Sequence, residues 1–83
     1  MHKVEVHGAD WCEDTQRTRQ YLDSQGIAYE YINMDQDTRA SAWVKQQNDG
    51  KERKPTVKIG EQILAVPSDQ ELEIALRQKG LVS

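Results

Sequence analysis

Between Lys3 and Met34 the chain passes from a two-residue repeat to a helical one and back, and that order of periods constrains the fold more than any other feature. Lys3-Val4-Glu5-Val6-His7 alternates apolar and polar residues, the pattern of a half-buried strand. Gly8-Ala9-Asp10 reads as a loop. Glu13 to Gln25 is a run of good helix formers, with Thr18, Tyr21, Leu22 and Gln25 along one face and Gly26 placed as the C-terminal cap. Ile27 to Met34 is apolar and aromatic and reads as a second strand. A strand, a helix and a strand in close succession form a β-α-β unit, which requires parallel strands and a right-handed crossover.

The remainder extends this unit. Asp37 or Thr38 can cap a second helix running to about Gln47, with Ala40, Trp43, Val44 and Gln47 on its inner face, and Asn48-Asp49-Gly50 stops it. Lys51 to Lys54 is a charged loop. Thr56 to Ile59 and Gln62 to Ala65, separated by Gly60-Glu61, form a hairpin. Pro67 and Ser68 open a last helix, and Ser68 with Glu71 makes a capping-box pattern. Leu72, Ala75, Leu76 and Lys79 mark its inner face, and Gly80 ends it. The order βαβαββα predicts an α/β fold, a mixed four-stranded sheet with three helices over its faces.

With 83 residues the chain is expected to be one domain, residues 1–83. Its hydrophobic share of 36% and its lack of Phe imply a thin core, sufficient for folding but without much margin. A net charge of −3 argues against nucleic acid or an anionic membrane as partner. A lone cysteine forbids an internal disulfide and fits a reducing compartment. No run suits a membrane span or signal peptide, so a cytoplasmic protein is expected, and a monomer.

That cysteine, Cys12, stands where the first strand hands over to the first helix. Unpaired backbone N–H groups and the positive end of the helix dipole favour thiolate there, the form that attacks disulfides. Glu13 and Asp14 suit the first helical turn, yet as negative charges they oppose the dipole at the sulfur. They are either plain first-turn acids or a device that repels anionic disulfides or selects cationic partners. Thr15 cannot resolve a mixed disulfide. Its hydroxyl either packs locally or donates a hydrogen bond to the Cys12 sulfur. Trp11 shields the thiol or offers a docking surface. Trp43 reads as core, and Arg17 and Arg19 lie on the outer side of the first helix, with Arg17 able to reach toward the site. His2 and His7 show no metal-ligand spacing, and no metal is expected.

Three features give the chain a resemblance to the glutaredoxin family of the thioredoxin-like fold. They are Trp11-Cys12-x-x-Thr15 with Arg17 behind it, Lys54-Pro55-Thr56-Val57 opening the third strand, and Val66-Pro67-Ser68-Asp69 at the last helix. The segment from Arg39 to Asp69 looks most like small actinobacterial relatives that work with mycothiol. Thr15 stands where the family's common site has a second cysteine, as in monothiol members, but the Gly-Phe-Ser of the iron–sulfur monothiol class is absent. Arg53-Lys54 replaces a Thr-Val, and Ala65-Val66 replaces a glycine pair.

The resemblance implies a cis Pro55 beside Cys12 that presents the backbone of Lys54 to a ligand. Lys54 or Arg53 then offsets Glu13 and Asp14 or meets a glutathione carboxylate. Ser68 and Asp69 face the γ-glutamyl end, with Asp69 toward its amino group. Trp11, Lys54, Pro55, Ser68 and Asp69 form the binding set, and Cys12, Thr15 and Pro55 the reactive set. The implied activity is monothiol thiol–disulfide exchange in redox homeostasis, with glutathione or an analogous low-molecular-weight thiol as co-substrate and S-thiolated or disulfide-bearing proteins as partners. Two other readings stand beside it: a glutathione-dependent iron–sulfur cluster protein built from two chains, and a redox-silent interaction domain of the same fold.

Overall fold

The computed structural model describes residues 2–82. Its elements follow the expected order: β1 (Val4–Gly8), α1 (Glu13–Ser24), β2 (Glu30–Asn33), α2 (Thr38–Gln47), β3 (Thr56–Ile59), β4 (Gln62–Ala65) and α3 (Asp69–Gln78). The four strands form one mixed sheet in the order β2-β1-β3-β4. β1 runs parallel to β2, with Val6 beside Tyr31, and antiparallel to β3, with Val6 beside Val57. The β3–β4 hairpin is antiparallel, with Val57 beside Leu64. This is the thioredoxin-like arrangement.

The pleat sorts the side chains of β1. Val4 and Val6 join Val57 and Ile59 on one face, against Leu22 of α1 and Leu72, Ala75 and Leu76 of α3, in the buried core. His7 points to the opposite face and stacks on Trp43 of α2, ring centroids 4.6 Å apart. Ala40 and Val44 are buried on the same helix, whereas Gln47 is exposed. Gln25 is also exposed, so neither glutamine belongs to the inner face expected of it.

The second strand is shorter than the run from Ile27 to Met34 predicts, because Ile27 belongs to the end of α1. Gly26 takes a left-handed backbone, φ 68°. Its N–H bonds to the carbonyl of Asp23 at 3.1 Å, and the Ile27 N–H bonds to that of Leu22 at 3.0 Å. These two bonds close the helix as a Schellman motif and turn Ile27 onto the core. Pairing with β1 begins at Glu30.

The start of α3 agrees with its local signal. The Ser68 hydroxyl accepts from the Glu71 N–H at 3.1 Å, and the Glu71 carboxylate accepts from the Ser68 N–H at 2.9 Å. These bonds to Ser68 hold the Glu71 carboxyl below its ordinary value. Ser68→Ala is expected to cost about 1 kcal/mol of stability in urea unfolding, by loss of the cap. No helix among the described residues is long and apolar enough to cross a membrane.

Candidate functional site

Cys12 is the N-cap residue of α1, with an extended backbone, φ −82° and ψ 121°. Its carbonyl accepts the first intrahelical bond, from Gln16 N–H at 3.0 Å. Its side chain makes no capping bond. The sulfur is half-buried and faces the loop before β3, where its S–H donates to the Lys54 carbonyl at 3.7 Å. The Lys54–Pro55 peptide is cis. Pairing between β1 and β3 starts only at Thr56, opposite His7, so the Lys54 backbone lies outside the ladder and beside the sulfur.

Each neighbouring segment is tied in place. The Thr56 hydroxyl donates to the Arg53 carbonyl at 2.9 Å, which folds the loop in front of Pro55. The Pro55 carbonyl accepts from the Val66 N–H at 2.8 Å and joins that loop to the end of β4. Val66 has φ 46°, a left-handed backbone that a β-branched residue adopts at a cost. Ahead of Cys12, the Asp10 carbonyl accepts from Gln16 Nε2 at 2.7 Å, and the Asp10 carboxylate from the Tyr31 hydroxyl, also at 2.7 Å. Burial, with that carboxylate next, pushes the Tyr31 hydroxyl up to about 12.

Thr15 is fully buried at the first turn of α1, and its hydroxyl accepts from the Ala9 N–H at 3.4 Å. Among the described residues it makes no hydrogen bond to the Cys12 sulfur. Trp11 is 66% exposed, yet fixed, because its indole N–H donates to the Asp35 carboxylate at 2.8 Å. Lys54 extends over this ring, its ammonium 5.4 Å from the centroid, and pairs with Glu52. Trp11, Cys12, Lys54 and Pro55 therefore converge.

Asp69 is tied to the first turn of α1 by Arg17, a residue expected on the outer side of that helix but able to reach toward the site. Arg17 is half-buried. Its guanidinium donates to the Asp69 carboxylate at 2.9 Å and to the Pro67 carbonyl at 3.2 Å, and lies 3.6 Å from Asp14. The Ser68 hydroxyl is committed to its own helix cap. The 52-residue separation of Arg17 and Asp69 hides this clasp from any local pattern, although Arg17 one turn behind Asp14 was a visible hint. A groove along β2, lined by residues that include Asp10, Tyr31, Gln36 and Asp37, does not include Cys12. No three His, Cys, Asp or Glu side chains among the described residues group as metal ligands.

Residues 4–64 match the family model for glutaredoxin. The chain is 38% identical over 61 residues to Mycoredoxin 1 of Corynebacterium glutamicum, covering 74% of this chain and 75% of that one. Among solved structures, the buckwheat glutaredoxin–glutathione complex superposes with a TM-score of 0.75 at 23% identity, covering 99% of this chain and 83% of that one. Glutaredoxin grx-1 from Archaeoglobus fulgidus superposes with a TM-score of 0.75 at 21% identity, covering 93% and 88%.

Proposed function

This chain belongs to the glutaredoxin family, and we propose that within it the protein is a monothiol thiol–disulfide oxidoreductase that removes low-molecular-weight thiols from S-thiolated proteins through Cys12. The observation that carries the reading is the position of the one cysteine: an N-cap residue whose sulfur does not cap, turned toward the Lys54 carbonyl ahead of Pro55.

The route needs one cysteine. Cys12 thiolate attacks the sulfur of the small thiol in a protein mixed disulfide. The bond between that sulfur and the protein sulfur breaks, and the protein leaves as thiolate and takes up a proton. Cys12 then carries the small thiol as a disulfide. A second small thiol, as thiolate, attacks the carried sulfur, releases the symmetric small disulfide and returns Cys12. The net exchange converts one mixed disulfide and one small thiol into one protein thiol and one symmetric small disulfide. Thr15 in place of a second cysteine closes the alternative in which an internal thiol resolves the adduct.

The surroundings support binding of the small thiol. The Lys54 backbone outside the ladder can pair with an amide of the thiol, as one more short extended segment beside β3. Trp11 gives an exposed apolar wall, Pro55 is fully buried and acts by holding the Lys54 backbone beside the sulfur, and Asp69 with Arg17 offers polar contacts at the α3 side. The buckwheat relative is a glutathione complex. Glutathione, mycothiol and bacillithiol are the candidate thiols for this chain, and a cytoplasmic, monomeric protein fits any of them.

The test is turnover of a protein mixed disulfide coupled to glutathione reductase, run in parallel with mycothiol and with bacillithiol and their reductases. Cys12-dependent turnover with one of the three thiols is expected. Absence of turnover with all three would refute the reading.

A further inference from the structure

We propose that Glu52 determines the charge preference of the Cys12 site: it clamps the Lys54 ammonium over Trp11 and so withholds the cation that the chain places next to the sulfur, leaving a site that favours disulfides with uncharged or cationic substituents over anionic ones. The inference rests on Cys12 being the reactive thiol.

Lys54 and Glu52 form a sheltered pair. Their side chains are 15% and 30% exposed, unlike the solvated pairs elsewhere on the surface. Glu52 is held from its far side as well. Its carboxylate accepts from the Ser41 hydroxyl at 3.0 Å and lies 3.9 Å from the Lys45 ammonium, which ties the clamp to α2. The bond from Lys54, then that from Ser41, keeps the Glu52 carboxyl below its ordinary value, so the carboxylate is charged at neutral pH.

The Lys54 carbonyl touches the Cys12 sulfur at 3.7 Å. The ammonium is thus about one lysine side chain from the reacting atom, and whether it is paired alters the field there. Paired, it contributes little. Glu13 and Asp14 are exposed in the turn after Cys12, and Arg17 is engaged by Asp69 and Asp14, so the start of α1 offers an incoming anion acids and an already paired cation. Freed, the ammonium could meet the carboxylate of an incoming anionic disulfide. Arg53 is exposed and forms no ion pair among the described residues, and it is the same in every variant below.

The test is alkylation of Cys12 by iodoacetate and by iodoacetamide. The two reagents share size and leaving group and differ in charge. Thiolate fraction enters both rates equally and cancels in their ratio, as does any general loosening of the site. Glu52→Gln keeps the shape and removes the charge. It is expected to raise the iodoacetate-to-iodoacetamide ratio about fivefold at low salt, and high salt should shrink that rise. With Lys54→Met in the background, the same substitution should change the ratio by less than about twofold, since an exposed charge acting alone is weak. An unchanged ratio in Glu52→Gln, or a rise as large with methionine at position 54, would overturn the proposal. The ratio needs no turnover. A protein without activity would therefore refute the oxidoreductase reading while the ratio still decided the role of Glu52.

Discussion

Cys12→Ser is expected to lose all turnover of mixed disulfides while becoming more stable. Loss of activity follows from chemistry, because a serine hydroxyl is not appreciably ionised at neutral pH and does not attack disulfide sulfur. The gain in stability follows from the fold. Cys12 is the N-cap of α1 and its side chain leaves that role unfilled. Serine is among the preferred N-cap residues, and its oxygen can accept from a first-turn N–H. A gain of about 1 kcal/mol would raise the Tm of a domain this size by about 4 °C. Opposite signs for activity and stability would show that α1 forgoes a cap to present a sulfur. A drop in both would mean that Cys12 is a packing residue.

Gly8→Ala should produce the largest loss of stability among single-methyl additions near the site. Gly8 closes β1 and lies against the first turn of α1. A Cβ built on it falls 2.5 Å from Thr15 Oγ1 and 2.6 Å from Thr15 Cγ2. Thr15 is fully buried and has no room to yield. Overpacking of this kind costs about 2 kcal/mol, about 8 °C in Tm for a domain of this length. The pair should be coupled: Thr15→Ala removes both clashing atoms, so the double variant should be less destabilised than the sum of the singles by at least about 1 kcal/mol. Additive losses in urea unfolding would show that the strand end and the helix start relax independently. The same contact sets the distance between β1 and Cys12, because Thr15 stands one turn beyond the N-cap.

The parts of the fold that were legible in the sequence depend on neighbours in the chain. The alternation of Lys3 to His7, the run to Gly26 and the Ser68–Glu71 box each signal their element within a few residues, and the structure contains all three. The extent of β2 was not legible. Ile27 has the composition of a strand residue, and only the Schellman closure onto Leu22 assigns it to the end of α1. Tertiary choices were hidden for the same reason. His7 on Trp43, Arg17 on Asp69 and the Lys54 ammonium over Trp11 each join distant segments. Lys51 to Lys54 reads as a solvated charged loop, because nothing local distinguishes a clamped lysine from a free one. The position of Cys12 at a strand-to-helix junction could be read directly. The cis Lys54–Pro55 peptide was expected only through the family resemblance.

Intact mass of the protein after one turnover tests the central claim most directly. Reduced protein is mixed with one equivalent of an S-thiolated protein substrate, with no further small thiol present, and quenched with acid. A monothiol route through Cys12 predicts that this chain gains the mass of one small thiol, that the substrate loses the same mass, and that added small thiol removes the adduct. A chain that instead becomes linked to the substrate protein itself, or one that stays unmodified while the substrate keeps its thiol, would contradict it.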